Sequence, residues 1–203
     1  MRLSVLPVCL LLCSCAFVAE QTPESLKSLP AATYQLEKPH ASMVFRVKHL
    51  GLSGYTLRFS DFDATLDFDP AIPTASRLTA IINPMSVKSD HPTDAGWDER
   101  IGRDLLKGET FPQITFTSTE IETTGPFTGL VTGNLTLMGV TGPVTLDVTY
   151  NGGMASAALY QGRAAAGFSA RGTFKRSDFG STQYSQFVGD EIAVEIEAEF
   201  TRR

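Results

Sequence analysis

The sequence predicts an all-β domain of antiparallel strands, and three observations carry that prediction. From residue 34 onward nearly every segment alternates apolar and polar residues with period two, the pattern of strands with one buried and one wet face. Turn signals such as Thr124-Gly125-Pro126, Thr141-Gly142-Pro143 and Asn151-Gly152-Gly153 separate the segments. Only Gly96–Lys107, GWDERIGRDLLK, reads as helix, and it is too short to cover a sheet. The apolar faces must therefore bury against one another, in a sandwich or a closed barrel.

Residues 1–19 carry one positive charge at Arg2, an apolar run from Leu3 to Leu12 and then small residues, the layout of a secretory signal. A bilayer core needs roughly twenty apolar residues to span, so this shorter run reads as a removable leader. Periplasmic export is the expectation. Cys9, Cys13 and Cys15 all lie in this segment, so the folded domain is expected to hold no internal disulfide and no Cys-based metal site. Leu12-Cys13-Ser14-Cys15 resembles a bacterial lipoprotein box, which would lipidate Cys15 and tether the protein to a membrane, while Ala16 offers a rival, ordinary cleavage point. Residues 20–33 are polar, hold two prolines and show no sustained period; they read as a tether before one domain at 34–203.

Within that domain the apolar phases run in order. Met43, Phe45 and Val47 oppose Ser42, Arg46 and Lys48. Tyr55, Leu57 and Phe59 share one phase and Phe62, Ala64, Leu66 and Phe68 the other, so a bulge or corner is expected near Ser60-Asp61. Arg77–Asn83 adds a strand; Ile114 and Phe116, then Phe127, Val131, Leu135 and Leu137, then Val144, Leu146, Val148 and Tyr150 supply further apolar faces. Ala164, Ala166, Phe168, Ala170 and Phe174 follow, and Ile192, Val194, Ile196, Ala198 and Phe200 close the series against Glu191, Glu195, Glu197 and Glu199. The count is about eight strands.

The charge balance, 22 Asp plus Glu against 17 Lys plus Arg with the bases scattered, argues against nucleic acid as a partner. Catalysis is not expected: the serine of Gly167-Phe168-Ser169-Ala170-Arg171 sits mid-strand and lacks the second glycine of a nucleophile elbow. The run Ser89-Asp90-His91-Pro92-Thr93-Asp94 offers a His and two carboxylates, but Pro and Asp are ordinary turn residues and His40 and His49 are dispersed, so no metal is expected. Asp98, Glu99 and Asp104, with Arg100, Arg103 and Lys107 beside them, read as a solvated, salt-bridged helix. Monomer and homodimer both stay open.

Five segments together resemble the YceI-like family. NLTLMGVTGPVTLDVTYNG from Asn134 to Gly152 is similar to its most regular stretch, and Arg176-Ser177-Asp178-Phe179-Gly180 to its R-S-D-F-G corner. FRVKHLGLSGY from Phe45, FPQITFTST from Phe111 and VGDEIAVEIE from Val188 agree in order. The chain departs from the pattern where many members carry Asp-x-His-Leu and a double Phe; it has Asp98-Glu99-Arg100-Ile101 and Asp104-Leu105-Leu106-Lys107.

The resemblance implies an eight-stranded antiparallel lipocalin-like barrel with one short helix, exported to the periplasm, whose interior takes up a polyisoprenoid, isoprenoid quinone or fatty-acyl chain without any other cofactor. The lining expected from the inward phases is Phe45, Val47, Phe59, Phe116, Val131, Leu135, Leu146, Ala166, Phe168, Val194 and Ile196. Small inward residues, namely Gly129, Gly133, Ala164, Ala166, Ala170 and Ala198, are expected to make the room. His49, Arg58 and Arg176 are the candidates for a head-group contact, against a structural role for His49 on loop backbone and for Arg176 paired with Asp178. The other readings are a stress-response or interaction protein whose barrel is filled by its own side chains, and, from the family's company, a partner of a b-type cytochrome.

Overall fold

The computed structural model describes residues 26–89, 91 and 93–203. The leader, Cys15 and residues 20–25 of the tether lie outside them, as do Asp90 and Pro92.

Eleven strand segments form one sheet: β1 (Ala32–Leu36), β2 (Ser42–His49), β3 (Ser53–Phe59), β4 (Phe62–Phe68), β5 (Arg77–Ile82), β6 (Val87–Lys88), β7 (Ile114–Thr123), β8 (Thr128–Leu137), β9 (Val140–Ala157), β10 (Arg163–Lys175) and β11 (Val188–Arg202). They are eight strands in space, because three are broken at the same level. β1 and β2 are halves of one strand interrupted by a tight turn at Lys38–His40 and both lie on the same edge of β11; β3 and β4 are halves of the next; β5 and β6 of the third. Sequential neighbours then pair antiparallel all the way round, and β1 meets β11 with Tyr34 opposite Arg202 to close the ring. Closure removes the sheet edge, so an eight-stranded, up-and-down barrel results.

The parity slip at Ser60-Asp61 is a corner. Between β3 and β4 the Ser60 amide donates to the Ser86 carbonyl at 3.1 Å and the Asp61 amide to the Ser86 hydroxyl at 3.1 Å. Phe59 and Phe62 thereby both point inward across a two-residue step. The three aligned breaks divide the barrel into two halves. In one, β4 and β5 pair and β5 continues to β7; in the other β6 pairs with β3 through Arg58 and Lys88, and no pairing to β7 occurs among the described residues.

That second half is completed by the helical segment the sequence predicts at 96–107. It forms a short helix α1 (Trp97–Arg100) and then a wider π turn over Ile101–Leu105. Its apolar side is the wall of the barrel rather than a solvated helix: Ile101 is buried with Val47, Leu57 and Val87, and Trp97, Leu105 and Leu106 pack on them. Its charged side does carry the expected ion pairs, Arg103 to Glu99 at 3.2 Å and to Asp104 at 2.8 Å.

The opposite half is filled solid. Tyr34, with no exposure, stands edge-on to Phe68 at 6.0 Å, and Phe68, Tyr150 and Phe200 surround Phe168 at 5.6, 5.6 and 6.0 Å. Leu29 is buried in this core and Ala32 already pairs with Phe68, so residues 29–33, read as tether from their composition, belong to the barrel. An apolar leucine within a polar stretch was enough to dock it.

Tyr150 supplies a prediction. Its hydroxyl is buried and has no hydrogen-bond partner among the described residues, and burial pushes its pKa up to about 12. An unpaired buried hydroxyl costs free energy, so Tyr150→Phe should hold or raise stability by about 1 kcal/mol in chemical denaturation, where most aromatic core changes lower it.

Candidate ligand-binding cavity

The half closed by α1 encloses a cavity of about 820 Å³. It opens at the end formed by the β2–β3 turn, the β8–β9 turn, the β10–β11 loop and the helical segment. β2 and β3 contribute Phe45, Val47 and Phe59; β7, β8 and β9 contribute Phe116, Leu135 and Leu146; β11 contributes Val194 and Ile196. These are all inward positions of alternating strands. Phe45, Phe59, Leu135, Val194 and Ile196 nevertheless retain partial exposure, because the space they face is reachable from outside.

Val131, Ala166 and Phe168 do not line it. They point inward as expected but belong to the packed core, Ala166 at 2% exposure between Phe200 and Gly153 on its neighbouring strands. The small residues make room for protein atoms: a methyl group at Gly133 would meet the Phe116 ring at 2.4 Å, and one at Gly129 the Glu122 carbonyl at 2.5 Å. Ala164 and Ala166 similarly leave space for the aromatic cluster.

Sequence reasoning missed the wall supplied by the helical segment. Trp97, Ile101, Leu105 and Leu106 line the cavity, as do Tyr55, Phe174 and Ile192. The spacing of Trp97, Ile101 and Leu105, four residues apart each time, is an apolar helical stripe and was the available signal.

Polar groups gather at the mouth. His49 lies 6.4 Å from the Tyr55 ring, and the Tyr55 hydroxyl accepts a hydrogen bond from the Trp97 indole N–H at 3.0 Å, joining β3 to α1 across the opening. His91 lies 5.6 Å from the Trp97 ring, and the Arg100 guanidinium sits 5.2 Å over it while donating to the Asp94 carboxylate. His49, His91 and Arg100 all line the cavity.

Arg58 does not reach this site. It alternates with Leu57 and Phe59 and so projects outward, exposed, on β3. Arg176 lines the cavity, but its guanidinium is committed to backbone: it donates to the carbonyls of Gly189 at 2.9 Å, Ser181 at 2.9 Å, Gln183 at 2.8 Å and Val188 at 3.0 Å. The corner is thus held by carbonyls rather than by Asp178. Asp190 assists by accepting from the Ser177 amide at 2.9 Å and hydroxyl at 2.7 Å. Ser169 faces outward and donates to Glu197 at 2.5 Å. Among the described residues no three His, Cys, Asp or Glu side chains gather as a metal-holding group.

Asp98 anchors α1. Burial acts to raise its pKa, but the Ser89 hydroxyl and amide, donating at 2.6 and 2.9 Å, and the Lys88 ammonium outweigh it and hold the carboxyl below its ordinary range. A carboxylate with a lowered folded pKa contributes stability above its unfolded pKa of about 3.9 and loses it as pH falls through the folded value. The helical segment should therefore loosen only below about pH 4. Trp97, the single tryptophan of the chain, reports this directly: its emission should shift to the red at acidic pH, and Asp98→Asn should show part of that shift already at neutral pH.

Comparisons with known proteins agree with this architecture. The YceI-like domain family matches residues 34–200. A UPF0312 protein of Yersinia pestis is 40% identical over 159 residues, covering 76% of this chain and 79% of its own. The crystal structure of a Campylobacter jejuni YCEI protein superposes with a TM-score of 0.66 at 31% identity, over 77% of this chain and 90% of that one. A polyisoprenoid binding domain from Saccharophagus degradans shares the fold at a TM-score of 0.61 and 14% identity, over 84% of this chain and 98% of that one. With the family matched across nearly all of the barrel, the chain belongs to the YceI-like family.

Proposed function

We propose that this protein is a periplasmic carrier that binds one long apolar lipid, a polyisoprenoid, isoprenoid quinone or fatty-acyl chain, with the tail inside the barrel and the polar end at the mouth. The observation that carries the reading is the 820 Å³ cavity walled by apolar side chains. Its volume is in the upper range of small-molecule pockets, and each methylene moved from water to such a wall contributes about 0.8 kcal/mol. Binding in this reading needs no nucleophile or metal.

The polar groups at the mouth support this orientation. A head group emerging there meets His49, His91, Arg100 and the Tyr55 hydroxyl, whereas the inner end of the cavity abuts the aromatic core. The neighbour from Saccharophagus degradans, named for polyisoprenoid binding, supports the ligand class. A barrel filled by its own side chains describes only the half around Phe168.

Export through residues 1–19 completes the proposal, with lipidation of Cys15 as the tether. Native mass spectrometry of protein purified without detergent tests the carrier reading. A lipid-sized adduct, or uptake of an added prenyl alcohol accompanied by a change in Trp97 emission, is expected; a clean protein mass with no uptake overturns it.

A further inference from the structure

The rim of the cavity is chemically lopsided. Three of the four sides of the open end carry stretches free of charge: residues 50–57 at the β2–β3 turn, 135–146 at the β8–β9 turn and 179–189, the β10–β11 loop beyond Arg176 and Asp178, hold no Asp, Glu, Lys or Arg, in a chain where 19% of residues are charged. The fourth, the helical segment, carries Asp94, Asp98, Glu99, Arg100, Arg103 and Asp104.

The uncharged arc displays large apolar side chains. Leu50 is 50% exposed, Leu52 85%, Tyr184 57% and Phe187 45%. Val140 joins them from the β8–β9 turn at 40%. The arc is continuous: the Leu50 amide donates to the Phe187 carbonyl at 2.6 Å, and Val140 reaches within 4.0 Å of the Cβ position of Gly180. Two of these residues hold backbone conformations that side chains disfavour, Leu50 at φ 54° and Tyr184 at φ 56°. A bulky residue in the left-handed region costs conformational energy, and here the strained residues are among those turned to water. Tyr184 and Phe187 also line the cavity, so its apolar wall runs without interruption onto the rim.

We propose that this arc is a membrane-docking lip: it enters the interfacial layer of a lipid bilayer and lets the ligand pass between bilayer and cavity without crossing water. The charge distribution selects the occupant. A bilayer interface accepts leucine, phenylalanine and tyrosine and rejects buried charge, which the lip lacks, while the charged helical segment stays in water on the other side of the mouth. Attachment is driven by apolar burial, so it is insensitive to salt and needs no anionic lipid. The inference rests on the carrier reading, since a lip has a purpose only for a ligand that leaves and re-enters a membrane.

The test is flotation with phosphatidylcholine vesicles of the mature protein carrying Cys15→Ser, so that no acyl anchor floats it, alongside two uptake assays of a prenyl alcohol, one from vesicles and one from cyclodextrin. The double variant L50D/L52D, at two exposed lip residues that do not line the cavity, should lose flotation and take up ligand from vesicles about tenfold or more slowly, while uptake from cyclodextrin is unchanged. Leu52→Trp, which adds an interfacial anchor, should float more strongly. Normal uptake from cyclodextrin with no difference between wild type and L50D/L52D on vesicles overturns the lip and leaves the carrier reading standing. No uptake from either source removes both. If the arc instead covers a second copy of the chain, the double variant will dissociate a dimer in sedimentation with vesicle transfer unaffected, and that result also overturns the proposal.

Discussion

Val194→Trp should leave the barrel folded and abolish most of its capacity for a long apolar ligand. Val194 projects from β11 into the cavity opposite Phe45 of β2 and keeps partial exposure there, so a larger ring has open space to enter rather than packed neighbours to displace. A ring in that space excludes on the order of three methylenes of ligand, and at ~0.8 kcal/mol each the loss is roughly 2 kcal/mol, on the order of thirtyfold in affinity. Titration of a prenyl alcohol, followed by the indole emission of the Val194 variant and checked by native mass spectrometry, measures it. The control is Ala166→Phe, which overpacks the aromatic core and should cost about 1–3 kcal/mol of stability while sparing the affinity of the folded fraction. Equal affinity of Val194→Trp and wild type would place the ligand somewhere other than this cavity.

The contrast between Val194 and Ala166 also shows what the sequence does and does not encode. Strict alternation told that Val194, Ile196, Ala166 and Phe168 all point inward, because a strand has only two faces. It carries no information on depth along the barrel axis. Whether an inward residue meets ligand space or Tyr34 and Phe68 depends on register and on where the three corners fall, and these are properties of the assembled sheet. The corner at Ser60-Asp61 was legible because it reverses parity. The matching breaks at Lys38–His40 and around Pro84 leave weaker traces, since turns there separate segments that look like independent short strands.

The helical segment was misjudged for a different reason. Its charges are real and form surface ion pairs, and they mask a narrow stripe of Trp97, Ile101 and Leu105 that closes the barrel where β6 ends. A helix too short to cover a sheet is long enough to cover one missing strand contact. Arg58 failed as a head-group candidate by simple alternation, and the sequence contained that answer. Arg176 could not be read in the same way, because its partners are main-chain carbonyls of a loop with no period.

That loop leads to the second large effect. Arg176 is 7% exposed, and its guanidinium gathers four carbonyls from residues 181–189, a segment with little regular structure to satisfy them otherwise. Arg176→Ala removes a buried charged donor set and leaves four part-buried carbonyls without it, which should cost about 3–5 kcal/mol. Against a typical stability of about 5–15 kcal/mol, that brings the domain near its limit. Arg176→Lys should recover only part of the loss, because an ammonium is a point donor and cannot span carbonyls that a planar fork reaches. Damage should begin locally: amides from Ser181 to Val188 should exchange faster in Arg176→Lys than in wild type while those of β9 and β10 hold. The same segment carries Tyr184 and Phe187 at the mouth, so ligand should also leave the lysine variant faster. Unchanged exchange in that loop, with stability within about 1 kcal/mol of wild type for both variants, would mean that the carbonyl cluster is not what holds the mouth in shape.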